Sequence, residues 1–371
     1  MKKLFLIPLI IVLAASLVFG GCGKPTTPAE PTTPAPAPME VLFNDAQWSP
    51  TSPPGLLFKW FTDEVTKRTD GRLVFTHVGS NSLTKPGEEI DAIQSGLIDV
   101  GNTCVVYHPG ALSLNTGFMR TVPFGINDLP TGMELAYKMY YEEPSPLVDE
   151  YANLGLTFLF VTIDSAYVIE SKTPITKLED LDGQKVACLG KYGPMWLKAI
   201  GATSVALPVG ERPTAIQTGV VEAAATPLEI SFPFKLFEFA PNIIGTRWGI
   251  VTGNPISWNT EKFNALPADI QSIIIETGKE AFMHNLEIVE AWEADALKTI
   301  AEAGATIHPD FSDADIATWA GLISEQYGDP VAGWVKDAEE KGTVGAAEVA
   351  EKWLRLQKEA GHEFPIEWKA K

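Results

Sequence analysis

Three cysteines in 371 residues are too few for a disulfide scaffold. Positive charge is scarce as well: 28 Lys and Arg stand against 47 Asp and Glu, a formal net charge of −19. Such a balance repels nucleic acid, and no basic strip interleaved with aromatics offsets it. The five histidines are scattered, and no acidic or histidine spacing gathers a metal ion. There is no nucleophile-elbow serine, phosphate-cradling glycine loop or zinc-protease helix. Cys104 and His108 share one short stretch, but Val105 and Val106 between them point to a strand edge rather than a nucleophile. The chain reads as non-catalytic and free of cofactor or metal.

The opening apolar run, residues 4–19, is shorter than the roughly 20 residues a membrane span needs. Lys2 and Lys3 precede it and Gly20, Gly21 and Cys22 follow, which reads as a secretory signal over residues 1–21. Cys22 after two glycines resembles a bacterial lipobox, whose cysteine is lipidated and becomes the new N-terminus. Phe19 stands where leucine is usual, and a plain signal cut with Cys22 incidental is the alternative. Residues 24–38 are almost wholly Pro, Thr and Ala, a composition that builds no core and favours an extended leash. Residues 22–38 are thus expected to tether a globule outside the cytoplasmic membrane, in the periplasm or on the membrane's outer face. Cys104 and Cys188 are expected to be free buried thiols, and nothing demands more than a monomer.

What is present is an echo. Residues 92–101, AIQSGLIDVG, return conservatively rewritten at 215–224, AIQTGVVEAA. Each copy reads as a helix end, a glycine cap, then a short apolar strand beside an acid. Two such units about 120 residues apart suggest two similar α/β lobes rather than a solenoid of short repeats. A cleft between lobes is where small ligands usually bind.

Strands at 40–46, 73–77 and 97–101 alternate with helices at 54–68 and 85–95, which predicts a parallel, doubly wound sheet. Ligands meet such sheets at the loops after strand carboxyl ends, here Trp48, residues 80–82 and 102–108. A second α/β run follows 159–162, with a strand at 185–189, a loop at 190–194, a helix at 195–200 and a strand at 203–208. From Pro267 to about Ala303 apolar residues keep helical spacing, long enough at ~1.5 Å per residue to brace both lobes. Gly278 is its soft spot and a conceivable hinge. Ser312 with Asp315 reads as a capping box.

Residues 65–73, VTKRTDGRL, resemble the "T-x-G-R" turn of the DctP-type solute-binding proteins of TRAP transporters. Residues 92–100 resemble their "vqsGxiD" segment, Val122-Pro123-Phe124 their "lPF", and 178–186 their "peDLkGlKi". Residues 201–208, then Glu211, 215–219 and Glu222, resemble "lGAtpvpmp…E…ALqtGvvD". The likeness runs from about Met39 past Pro267. It implies a two-lobed, periplasmic-binding-protein-like α/β fold with hinge strands and a long bracing helix. It also implies capture of a small organic ligand for a sodium-coupled TRAP permease; a sensor subunit and an ABC-type binding lipoprotein are the other readings. Lobe I is expected over 39–162 plus about 251–285, lobe II over 163–250 plus about 286–345, and a C-terminal helix and tail over 346–371.

The family's carboxylate-binding arginine falls at Ala187, and alanine supplies none of a guanidinium's hydrogen bonds. Arg120 and Arg247 are the candidate replacements, while Arg212 reads as solvated. Trp48, Tyr107, Tyr192, Trp196 and Trp248 supply rings that stack on a planar or apolar ligand body, with ordinary core packing as the other reading of each. Phe232, Phe234, Phe237 and Phe239 read as a buried face or as further rings of this kind. Asn102, Thr226 and Glu229 complete the expected ligand set. A carboxylate with an aromatic or apolar body is the expected ligand.

Overall fold

The computed structural model describes residues 37–45, 49–79, 82–142 and 144–371. The expected signal, Cys22 and Trp48 lie outside these. Ser52 starts the first helix by accepting the Gly55 N–H, with two prolines in the turn where a missing N–H costs nothing.

The first half runs β1 (Met39–Asp45), α1 (Pro53–Arg68), β2 (Leu73–Gly79), α2 (Glu89–Gln94), β3 (Val100–Asn102), α3 (Ser113–Arg120), α4 (Leu129–Tyr141), α5 (Pro146–Asn153) and β4 (Leu156–Asp164). The chain crosses to β5 (Val168–Ser171), β6 (Lys185–Ala187), α6 (Tyr192–Ala199), β7 (Thr203–Val205), α7 (Arg212–Gln217), β8 (Ala223–Thr226), α8 (Leu228–Ser231) and β9 (Asn242–Gly245). It returns through β10 (Val251–Asn259), α9 (Thr260–Asn264), α10 (Ala268–Glu302), β11 (Thr306–Ile307), α11 (Asp313–Tyr327), α12 (Pro330–Glu340) and α13 (Ala346–Glu359).

The strands form two sheets, β2-β1-β3-β10-β4 in lobe I and β11-β9-β5-β8-β6-β7 in lobe II. The expectation of a parallel sheet needs correcting. β1 is parallel to β2 and β3, but β10 is antiparallel to β3 and β4. The reason is the crossing: β4 leaves lobe I and β10 comes back, so they meet head to tail. Lobe II mirrors this, with β6 parallel to β7 and β8 and β5 antiparallel to β8 and β9. The two crossings are tied together, since the Thr246 N–H and hydroxyl both donate to Tyr167 O, at 2.9 and 2.7 Å.

The sequence echo is also a structural one. Gly96 and Gly219 take the left-handed backbone, φ +74° and +77°, that ends α2 and α7. Asp99 then accepts the Leu42 N–H of β1 at 2.6 Å, and Glu222 accepts the Lys185 N–H of β6 at 2.8 Å. In each lobe the repeated acid binds the backbone of the neighbouring parallel strand.

α10 spans both halves. Its first part packs on α1 and β4, with Arg68 forked onto Glu280 and Asn285 donating to Ile163 O at 2.8 Å. Its last part meets lobe II, where Trp292 stands edge-on to Phe232 and Ile300 packs with Leu228, Phe237 and Ile243. Gly278 is not a soft spot in this packing: a Cβ there would lie 2.8 Å from Leu159 O, so glycine lets helix and strand touch. The capping box at Ser312 and Asp315 forms as expected.

Other boundaries move. The expected helix 85–95 shrinks to α2, because residues 85–88 form a turn in which Glu88 accepts the Lys85 N–H. Leu97, expected in a strand, is exposed and β3 begins at Val100. The expected loop 190–194 is largely helix, since Pro194 falls within the first turn of α6, where it is tolerated. Residues 330–340, expected in lobe II, pack on α3, with Trp334 donating to Ser113 O. The phenylalanines of 232–239 sit in consecutive 3-10 turns rather than on one alternating face.

Candidate ligand-binding site

The carboxyl ends of β3, β6 and β8 face the seam between the lobes, as an α/β architecture requires of a binding cleft. Asn102 closes β3 and a 3-10 turn over Val105–Tyr107 follows; Cys188 follows β6, and Thr226 ends β8. The lobes are shut: a Cβ placed on Gly190 of lobe II would lie 3.8 Å from the Val106 side chain of lobe I. Lys191 adds an ion pair to Asp337 at 3.0 Å.

Arg120, the last residue of α3, is the centre of this seam. It is 5 % exposed, and neither terminal nitrogen of its guanidinium has a hydrogen-bond partner among the described residues. Its guanidinium carbon lies 3.8 Å from the centroid of the Tyr167 ring, 5.8 Å from Trp248 and 5.9 Å from Trp196. The rings offer π faces to the cation. Trp196 and Trp248 meet edge to face at 5.2 Å, Trp248 meets Trp319 at 5.5 Å, and the Trp319 indole donates to Trp196 O. This block of three tryptophans fixes the rings behind Arg120. A small enclosed cavity runs past it, lined by Val106, Thr116, Arg120, Tyr167, Tyr192 and Gly193.

Burial lowers the pKa of Arg120, yet a guanidinium is not deprotonated in proteins, so the charge stays. Burial pushes the Tyr107, Tyr167 and Tyr192 phenols upward, and the Cys188 thiol up to about 11, against the pull of Arg212 and Arg120. Several buried polar atoms at the seam have no partner among the described residues: both amide atoms of Asn102, the Thr116 hydroxyl and the indole nitrogens of Trp196 and Trp248. Each such group costs about 1–3 kcal/mol unless something pairs with it.

Of the residues read from the sequence, Arg120, Tyr192, Trp196 and Trp248 come together at the seam, with Asn102 and Tyr107 at its lobe I edge. Arg247 does not join them. It has a left-handed backbone, φ 56°, and its guanidinium is taken by Asp313 at 2.7 Å and Phe311 O at 3.2 Å. Glu229 turns to the crossing, where it accepts the Ser165 N–H at 2.5 Å beside the buried Asp164. Burial raises the pKa of both acids, and for Asp164 the nearby Glu229 raises it further. Thr226 is buried at the end of β8, opposite Val168. Arg212, read as solvated, is 2 % exposed; it opens α7, and its guanidinium donates to Leu207 O and Ala225 O. Tyr167 and Cys188 were missed: no local pattern marks Tyr167 in a crossing, and Cys188 reads from its surroundings as a core residue after β6. Cys104 and Cys188 are both buried, and among the described residues neither is in a disulfide. Among the described residues no His, Cys, Asp or Glu cluster suits a metal ion, and no helix is long and apolar enough to cross a membrane.

The profile of the bacterial extracellular solute-binding proteins, family 7, the DctP family, matches residues 45–331. The chain belongs to this family. DctP-family proteins are extracellular solute-binding proteins. A solute-binding protein of Albidiferax ferrireducens is 26% identical over 274 residues, covering 72% of this chain and 78% of its own. The ectoine-binding periplasmic protein of Halomonas elongata is 26% identical, covering 65% of each. Among solved structures, a TRAP periplasmic solute binding protein from Desulfovibrio salexigens with bound orotic acid superposes with a TM-score of 0.73 at 22% identity, over 85% of this chain and 99% of that one. A marine metagenome TRAP protein described as specific for aromatic acids, in complex with 3-hydroxybenzoate, gives 0.72 at 21% identity, over 87% and 99%. These likenesses establish the two-lobed fold.

Proposed function

We propose that this DctP-family receptor captures a small organic acid with an aromatic or apolar body, its carboxylate held by Arg120, and hands it to a TRAP membrane permease. One observation carries the reading: both terminal nitrogens of the buried Arg120 guanidinium lack a partner among the described residues, on a floor of Tyr167, Trp196 and Trp248. Those nitrogens form the fork that matches a carboxylate, and the rings match a flat body. Arg120 thereby takes over from the residue replaced by Ala187. Relatives of the same fold are described with orotic acid, pyroglutamic acid and 3-hydroxybenzoate, all acids with a compact ring. The receptor alters nothing covalently: bound acid stabilises the shut form by its difference in affinity for open and shut lobes. Lipidation at Cys22 and the 22–38 leash hold the receptor beside its permease, outside the cytoplasmic membrane.

A thermal-shift screen of organic and aromatic acids tests this, since a ligand selective for the folded form raises its melting point. An acid that raises it is expected to change tryptophan fluorescence, given Trp196 and Trp248 at the seam. Binding of uncharged or cationic solutes alone, with every acid silent, overturns the assignment.

A further inference from the structure

We infer that Thr116 of α3 is a second polar contact for the solute, so that the cleft selects organic acids carrying a hydroxyl, keto or lactam group on the same edge as the carboxylate. This rests on the reading of the cleft as an organic-acid site built on Arg120.

Thr116, Met119 and Arg120 stand three and four positions apart on α3, so their side chains share one face of the helix. All three line the small enclosed cavity at the seam, whose other walls include Val106 of lobe I and Leu189 and Tyr192 of lobe II. Thr116 and Arg120 are neighbours on that face, about 5–6 Å apart between Cβ atoms at this spacing. Met119, Val106 and Leu189 offer the cavity only apolar surface. A solute lying there meets a hydroxyl and a guanidinium side by side on one wall.

Thr116 is 6 % exposed, and its hydroxyl has no hydrogen-bond partner among the described residues. A threonine in a helix has a ready acceptor in the carbonyl one turn back. Thr121, at the end of the same helix, donates to Gly117 O at 2.7 Å, and Thr218 donates to Thr214 O at 2.8 Å. The Thr116 hydroxyl makes no such bond, although its own N–H reaches Leu112 O at 2.8 Å. It lies instead in the cavity wall beside the two terminal nitrogens of Arg120, which also lack a partner among the described residues. A hydroxyl can donate or accept, whereas a guanidinium only donates. A buried hydroxyl left bare is costly, so a solute that pairs with it is favoured over an otherwise equal one that does not. Arg120 thus reads the carboxylate, and Thr116 reads the polar group beside it.

The test compares matched acids by calorimetry on the full chain: 3-hydroxybenzoate against benzoate, and pyroglutamate against cyclopentanecarboxylate. The corresponding carboxamides are run alongside. Wild type is expected to bind at least one polar acid about tenfold more tightly than its plain counterpart, the worth of one good hydrogen bond. Thr116→Val keeps the shape and loses the hydroxyl. It is expected to shrink that gap to about twofold by weakening the polar acid alone, while Thr116→Ser keeps most of it. Should Thr116→Val not fold, Thr116→Ala supplies the same comparison. A gap absent from wild type, or unchanged in the variant without a hydroxyl, overturns the assignment. Equal weakening of both members of a pair also overturns it, because that is the mark of packing. If Arg120→Gln abolishes acid binding in either case, the organic-acid reading stands without Thr116. If every acid is silent while the carboxamides bind with a gap that Thr116→Val removes, the organic-acid reading fails and the Thr116 contact is upheld. Silence of acids and carboxamides alike overturns both.

Discussion

The guanidinium carbon of Arg120 lies 3.8 Å from the centre of the Tyr167 ring, which joins the end of α3 in lobe I to the first crossing between the lobes. The Tyr167 carbonyl meanwhile holds Thr246 of the second crossing. The proposed anion-binding group and the two crossings therefore meet at one residue.

Arg120→Met is expected to lose an anionic ligand by more than about 1.5 kcal/mol, the low end for a hydrogen bond to a charged group. The same change removes a buried, unpaired cation, so the unliganded protein is expected to melt at or above the wild-type temperature. Calorimetry and melting curves on one preparation check both halves. A variant that binds as wild type removes Arg120 from the site.

Ala187→Arg restores the residue type of the family at that position, yet no gain in affinity is expected. Ala187 is fully buried and packs with Ala215, Ile216, Val221 and Ala224. A guanidinium there overfills the core and buries a second uncompensated charge, at a cost of several kcal/mol. The expected result is a fall in melting temperature. Tighter binding by a stable variant would show instead that only the arginine was missing.

Gly278→Ala separates two views of α10. If the glycine merely softened a helix, alanine would stabilise by about 1 kcal/mol. A Cβ 2.8 Å from Leu159 O makes the substitution destabilising instead, by about 1–3 kcal/mol, as overpacking usually is. The urea midpoint decides the sign.

Glu170 makes stability depend on pH. Burial pushes its carboxyl up to about 7, with Arg212 pulling the other way. An unfolded chain titrates that group near ~4.3, so between about pH 4.5 and 7 the folded state holds a proton the unfolded state has released. Stability is fully present below this window and falls as pH rises through it, by up to about 3 kcal/mol. Glu170→Gln is expected to flatten the fall, with a residual slope of the same sign from Asp164 and Glu229, whose values burial also raises. Urea titrations at the two ends of the window measure it; equal slopes in both proteins would clear Glu170.

The long helix, the capping box, the two lobes and the buried cysteines were legible because each is written locally, in period, cap or spacing. Antiparallel β10 was not, since direction in a sheet is set by where the chain re-enters, at Val251, long after it left β4 at Asp164. Arg120 was found through its place beside Val122-Pro123-Phe124. Arg212 was misread because a helix start beside Glu211 looks exposed; its burial comes from Leu207 O and Ala225 O, which only the folded lobe brings near. Arg247 carried a hopeful neighbour in Trp248, but Asp313, far along the chain, had already taken its charge.

Asp99 and Glu222 do the same job in the two lobes, each holding the backbone of the strand beside it. A parallel pair pinned at that point cannot slip by a residue, which would turn every side chain to the wrong face. The loops that leave β3 and β8 therefore start from a fixed height, whatever residues they carry. Solute preference can drift by substitution in those loops while the frame that aims them stays put, which is how one scaffold serves chemically different cargoes.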